Sequence, residues 1–202
     1  MTARQPPSPI RTPRLAVRCW EPADAPLLQE AIDASLDDLR AWMPWAWAEP
    51  TPLEEKVARL GSFRDAFHQG RDFVYGIFSP DEREVVGGCG LHTRLGADAL
   101  EIGYWIRSSH VGRGLATEAA AALTAVAFRV AGVDRVEIHV DPANTASLRI
   151  PERLGFAREA LLRRRLPPVN GDGPLRDVVI FTLFADEFEG TLAAEAVLEL
   201  PG

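Results

Sequence analysis

Apolar positions alternate with small or polar ones near the start of the chain. Leu15, Val17 and Cys19 flank Ala16 and Arg18, the period of a strand. The period then lengthens. Leu27, Leu28, Ile32, Leu36 and Leu39 recur at helical spacing and predict one helix over 22–39, with Pro26 near its start, where proline is tolerated. Residues 42–52, rich in tryptophan and proline, read as a loop. Thr51-Pro-Leu-Glu54 reads as the next helix start: Thr51 caps, Pro52 takes the first helical position and Glu54 closes a capping box. That helix runs to Gln69, and Gly70 ends it.

Strands are predicted over 73–79 and 85–93 around a turn at 80–84, then a hairpin over 95–99 leading into a strand over 100–107. A helix from Gly114 carries Leu115, Ala119, Leu123, Val126 and Val130 on one face, and Gly132 stops it. A strand over 135–140 follows, then a short helix from Asn144 to Gly155. Strands over 156–166 and 175–184 flank Asn170-Gly-Asp-Gly173, a turn signal, and 185–200 reads as a terminal helix. The order β-α-α-β-β-β-α-β-α-β-β predicts a mixed αβ domain of the α+β class.

A chain of 202 residues, 47% hydrophobic and 25% charged, suits one globular domain. A net charge of −7 argues against nucleic acid as a partner and is compatible with a cationic one. Cys19 and Cys89 make neither a metal pattern nor a disulfide framework, and the histidines are scattered, so no metal is expected. Residues 1–9 lack the apolar stretch of a targeting leader and read as a mobile segment. No run of about 18 apolar residues suggests a membrane span. A cytoplasmic location is the default, and monomer and homodimer both stay open.

The chemistry concentrates in Val111-Gly-Arg-Gly-Leu-Ala-Thr-Glu118, which lies where a strand hands over to a helix. The first amides of a helix lack internal partners and sit at the positive end of its dipole. Gly112 and Gly114 let a ligand approach the backbone, so the turn reads as a phosphate socket. The Lys and hydroxyl of an ATP-binding loop are missing, and Thr117 stands where a dinucleotide fingerprint needs its third glycine. A structural turn with two convenient glycines is the other reading.

Around this run, Glu101-Ile-Gly-Tyr-Trp-Ile106, Gly112-Arg-Gly-Leu-Ala-Thr-Glu-Ala119, Asn144-Thr-Ala-Ser147 and Leu154-Gly-Phe156 follow in order. Thr12-Pro-Arg-Leu15 with Arg18, Trp42-Met-Pro-Trp45 and Arg176-Asp177 accompany them. Together these resemble the GNAT superfamily of acetyl-CoA-dependent N-acetyltransferases, and within it the RimJ/RimL branch, over residues 10–188. Residues 189–202 form a tail that can be helical.

The resemblance implies a mostly antiparallel sheet flanked by helices, with one parallel pair that splays apart near Ile106 and Val140. Acetyl-CoA enters that gap as cosubstrate. The resemblance implies pyrophosphate binding by the amides of Val111, Gly112, Arg113, Gly114, Leu115 and Ala116. The Arg113 side chain either adds charge there or points to solvent. Val111 replaces the family's usual Gln or Arg. The backbone of Tyr104, Trp105 and Ile106 would hold pantetheine, with Asn144 as a further contact or a plain helix cap. Glu101 matches the acid that often serves as base; a solvated hairpin-end carboxylate is its other reading. Pro151 occupies the place of the tyrosine acid used by many members, and Ser147 matches the serine of this branch. As a proline, Pro151 has no N–H for the carbonyl of Ser147.

Trp42 and Trp45, with Trp47, would wall the acceptor site or simply plug two helices together, and Asp37, Asp38 and Glu49 would attract a cation or form a solvated rim. Cys89 in Gly87-Gly-Cys-Gly90 reads as a buried core thiol, with a place near the acceptor as the alternative. The implied activity is acetyl transfer to a primary amine. Candidate acceptors are a protein N-terminal α-amine, a small amine, an amino acid or an antibiotic. A non-catalytic acyl-CoA-binding module is the other class.

Overall fold

Eight strands pair into one sheet in the computed structural model, which describes residues 4–201. They are β1 (Ile10–Arg11), β2 (Ala16–Cys19), β3 (Phe73–Phe78), β4 (Val85–His92), β5 (Ala99–Ile106), β6 (Arg135–Val140), β7 (Ala157–Leu166) and β8 (Arg176–Phe184). Their order across the sheet is β1-β2-β3-β4-β5-β6-β8-β7. Only β5 and β6 run parallel among the described residues; every other pairing is antiparallel. The helices are α1 (Ala25–Asp33), α2 (Leu36–Trp42), α3 (Leu53–His68), α4 (Leu115–Val126), α5 (Thr145–Leu154) and the single turn α6 (Ala185–Phe188). The expected α+β architecture, with one parallel pair in a mostly antiparallel sheet, is the observed one.

Two cores form on the sheet. In the larger, Leu100, Ile102, Val136 and Ile138 meet Leu115, Leu123 and Val126 of α4. Ala119, Ala120 and Ala122 are fully buried there, and their small side chains let α4 lie close to the strands. In the smaller, Trp20, Leu28, Ile32, Leu39, Leu60 and Phe78 pack α1, α2 and α3 against β2 and β3.

Three sequence expectations need correction. The helix expected over 22–39 is a short 3-10 turn at Pro22–Asp24, then α1 and α2. The break falls at buried Ser35, whose hydroxyl accepts from the Ser108 amide at 3.0 Å, a tertiary bond that no helical periodicity announces. Thr51 does not cap α3, which starts at Leu53 with no side-chain cap. Instead the Thr51 amide and hydroxyl both donate to Glu49, at 2.8 and 3.1 Å. The terminal helix stops after α6, because Gly190 takes φ +97° and the chain continues as short turns until Glu199 pairs with Arg11 of β1. Residues 4–9, read from the sequence as part of a mobile segment, make tertiary hydrogen bonds. The Arg4 amide donates to Ala131 at 2.9 Å, the Tyr75 hydroxyl to Pro7 at 3.2 Å and the Cys19 amide to Ser8 at 2.8 Å. Met1 to Ala3 and Gly202 lie outside the described residues.

Candidate active site

The parallel strands part early. β5 and β6 pair at Ala99↔Arg135, Leu100↔Val136 and Glu101↔Glu137 and nowhere beyond. β5 still runs to Ile106 along β4, and β6 to Val140 along β8. The facing edges past Glu101 therefore carry backbone groups with no ladder partner, an opening that suits an extended, amide-bearing arm.

That opening leads to the glycine turn. Gly112 and Gly114 adopt φ +80° and +77°, a left-handed conformation costly for other residues, and Gly114 caps α4. The amides from Gly112 to Thr117 have no acceptor among the described residues. The side chain of Arg113 folds back to donate to Ser109 O at 2.9 Å. A different arginine comes close. Arg14 donates to Arg113 O at 2.8 Å and pairs with Glu118 at 2.5 Å, while the Thr12 hydroxyl donates to Glu118 at 2.6 Å. The Thr12-Pro-Arg-Leu15 run thus ties β2 to the first turn of α4. Arg14, Arg113 and Arg153 line a cavity of about 560 Å³ here, closed on one side by Leu192 and Ala196.

On the α4–α5 side of the gap, Asn144 caps α5 by accepting from the Ser147 amide at 3.0 Å. The Tyr104 hydroxyl lies 3.0 Å from Ser147 Oγ and donates to Ser147 O at 3.4 Å. That carbonyl is the one Pro151 leaves without a helical donor, so the phenol takes the place of the missing N–H. Burial pushes the Tyr104 phenol up to about 12, and its hydrogen bond to Ser147 offsets only part of that, so it stays protonated.

A cavity of about 610 Å³ opens here, lined by Tyr104, Asn144 and Ser147 and, on the other face of β5, by Glu101, Gly103 and Trp105. Successive strand residues face opposite sides, so Glu101, Gly103 and Trp105 share this face. Its floor is glycine. A Cβ on Gly88 would fall 2.5 Å from Trp105 Nε1, and one on Gly90 would fall 2.8 Å from the His92 ring. Trp42, Met43, Trp45 and Phe63 form part of the wall, and Trp45 meets Trp105 edge-on with centroids 6.1 Å apart.

Charged groups sit at the inner end. Glu101 is buried, with both carboxylate oxygens on Arg94, one at 2.6 Å. Burial alone would push Glu101 up. The Arg94 hydrogen bonds and the charges of His139 and Arg94 outweigh it and hold the carboxyl below its usual range. His139 lies 2.6 Å from Glu137 and 3.6 Å from Glu101. His92 Nδ1 lies 3.0 and 3.1 Å from the two oxygens of Asp72.

A family model described as an acetyltransferase (GNAT) domain matches residues 14–157. The chain belongs to the GNAT acetyltransferase family. The ribosomal protein uS5-alanine N-acetyltransferase of Escherichia coli (strain K12) is 30% identical over 176 residues, 86% of this acetyltransferase and 89% of that protein. The structure of Mycobacterium smegmatis RimJ in complex with CoA-disulfide matches at TM-score 0.79 and 27% identity, covering 100% of both chains. RimL, the ribosomal L7/L12 alpha-N-protein acetyltransferase solved with coenzyme A, shares the fold at TM-score 0.76 and 22% identity, over 87% of this chain and 97% of that one. This acetyltransferase is thus an N-acetyltransferase related to the ribosomal-protein-alanine enzymes. No helix among the described residues is long and apolar enough to cross a membrane.

The acetyltransferase brings the predicted catalytic and acceptor residues together around one cavity at the β5–β6 gap, with the glycine turn at a second cavity. Tyr104, Asn144 and Ser147 meet at α5 and line the same cavity as Glu101, Trp105, Trp42 and Trp45. Ile106 packs against the larger core. At the turn, Leu115 is buried, and Val111 is exposed with its amide donating to Ser108 O at 3.3 Å, so Val111 is not one of the free donors expected there. Trp47 lies outside, half-exposed, with its indole N–H on Arg40 O at 2.9 Å. Glu49 forms no rim: it is enclosed with Lys56 at 2.7 Å. Asp38 is bound to Ser108. Cys89 is a buried core residue, and burial pushes its thiol up. Sequence reasoning missed Arg14, Asp72, His92, Arg94 and His139. The alternation Gly88, Gly90, His92 was the available signal, since two glycines on one strand face mark a close approach.

Proposed function

We propose that this acetyltransferase uses acetyl-CoA as cosubstrate and acetylates a primary amine, a protein N-terminal α-amine foremost. The carrying observation is the open β5–β6 edge that ends on a turn of unpaired amides. Phosphate oxygens need donors and positive charge, and the turn offers both: the amides from Gly112 to Ala116, and the three arginines around the adjoining cavity. The free backbone of Tyr104, Trp105 and Ile106 suits the pantetheine arm, with Asn144 beside it. The cosubstrate supplies an activated acetyl group on sulfur.

In this reading a backbone amide near Trp105 polarises the thioester carbonyl. The Ser147 hydroxyl donates to sulfur, and the Tyr104 phenol behind it holds the serine in place. An alkylammonium keeps its proton up to about pH 10. Glu101 faces the incoming amine, and with Arg94 on both oxygens it acts as a fixed negative charge that draws the ammonium toward β5. A small aromatic or aliphatic amine is the second reading, favoured by the Trp42, Trp45 and Trp105 wall. We place the enzyme in the cytoplasm, as monomer or homodimer.

Calorimetric titration of acetyl-CoA into the wild type and Gly114→Glu tests the first half. The new carboxylate opposes the phosphates and fills the close-approach site, so binding is expected in the wild type and not in the variant. A folded wild type that binds no acetyl-CoA removes the reading. Thiol release with alanine- and serine-first peptides, set against simple amines, then sorts the acceptors.

A further inference from the structure

We propose that His92, oriented by Asp72, is the general base that takes the proton from the acceptor amine; the inference rests on the acetyl-CoA reading above. A base needs a free lone pair facing the amine and a partner that fixes its orientation. His92 Nδ1 lies 3.0 Å from Asp72 Oδ2 and 3.1 Å from Oδ1. That contact places the proton on Nδ1 and leaves the Nε2 lone pair available. No hydrogen bond is made by Nε2 among the described residues, and His92 lines the larger cavity.

Its position follows from the sheet register. His92 pairs with Glu101 and Gly90 with Gly103, so the imidazole lies along the β4–β5 floor. A Cβ on Gly103 would come within 3.3 Å of Nε2, and one on Gly90 within 2.8 Å. Nε2 therefore sits over Gly103, just past Glu101↔Glu137, the last pair before β5 leaves β6. That is the acceptor side of the opening, one residue from the backbone assigned to the pantetheine arm.

The rival groups around this cavity are engaged. Both oxygens of Glu101 are on Arg94. Both nitrogens of His139 face carboxylates, Glu137 at 2.6 Å and Glu101 at 3.6 Å. Asp141 is paired with Arg176 at 2.6 Å. The groups facing His92 across the cavity are Asp72, Arg94, Glu101, His139 and Arg59 of α3, with Glu137 behind His139 and Arg135 beside it.

The step balances. Nε2 accepts one proton from the ammonium, giving the free amine. The nitrogen lone pair forms the C–N bond to the thioester carbon. The C–S bond breaks with its electron pair on sulfur, the second N–H proton reaches the thiolate, and the imidazolium returns its proton to solvent.

The test uses the full chain with acetyl-CoA, an alanine-first hexapeptide and a set of primary amines. His92→Gln is expected to bind acetyl-CoA as the wild type does, to lose about 10²–10⁴-fold in kcat and to lose the acidic limb of the kcat/KM profile. Asp72→Asn should move that limb. His92→Ala leaves a space over Gly90 and Gly103, and added imidazole should restore turnover in it, which a merely structural histidine would not allow. An unchanged kcat and limb in His92→Gln, or no rescue in a folded His92→Ala, overturns the proposal while the acetyl-CoA reading stands. A wild type that binds acetyl-CoA but acetylates none of the amines also overturns it. A wild type that binds no acetyl-CoA removes both.

Discussion

Glu49→Ala should unfold this protein at markedly lower temperature. The Lys56 ammonium lies 2.7 Å from Glu49 Oε2 and 2.9 Å from both the carbonyl and the hydroxyl of Thr51, with the Lys56 and Glu49 side chains fully enclosed. Removing the carboxylate leaves a buried cation with neutral oxygens only. Breaking such a pair from one side costs about 3–5 kcal/mol. For a domain of this size each kcal/mol moves the Tm by about 2–4 °C, so a fall of about 6–20 °C is expected. Burial alone would push Glu49 up; the Lys56 hydrogen bond and charge, together with Thr51, hold it below its usual range. Its contribution is therefore complete above the unfolded value near about 4.3 and is lost as pH falls through the lower folded value. Glu49→Ala combined with Lys56→Met replaces the stranded charge with apolar volume and should recover much of the loss. The pair anchors the segment that carries Trp42 and Trp45, so the amine KM should rise in the single variant. Circular dichroism melts at pH 7 read the stability. A single-variant drop under about 3 °C, or a double variant no better than the single one, refutes the argument.

Three further outcomes are expected. Tyr104→Phe strips the Ser147 carbonyl of its donor and should cost about 1–3 kcal/mol in urea unfolding. Pro151→Ala returns a helical N–H to that carbonyl, so the double variant should lose less than the two singles combined; strict additivity argues against the link. Gly88→Ala drives a methyl group into the Trp105 indole and should cost about 1–3 kcal/mol, with an unchanged urea midpoint counting against it. Asp72 is pushed up by burial but held below its usual range by the His92 hydrogen bond, so the stability it adds is present above about pH 4 and fades on acidification. Asp72→Asn should flatten the acid limb of an unfolding-versus-pH curve, and an identical slope would contradict this.

The elements legible in the sequence were those governed by local periods. β2, β5 and β6 follow alternation, and α4 and its glycine turn follow capping rules and positive φ. Pairs formed at a distance were not legible. Arg14 meets Glu118, Asp72 meets His92 and Tyr104 meets Ser147 only once the sheet is assembled, and none shares a helix or strand period. Thr51 shows the reverse failure: a sound local capping signal gave way because a buried ammonium at Lys56 and the Glu49 carboxylate needed its hydrogen bonds. Glu101 was placed on the right strand, but nothing local announces that Arg94 bonds both its oxygens.

The cavity beside the glycine turn draws on residues 12–14, 112–118, 153–154 and 192–197. The wall formed by Leu192 to Val197 comes from a segment far along the chain from the glycines, so the cavity is complete only when the two are packed together. The Glu199–Arg11 pairing holds that wall segment against β1. A tag or cleavage that disturbs this clasp would be felt at the cavity beside the glycine turn, far along the chain from the clasp itself.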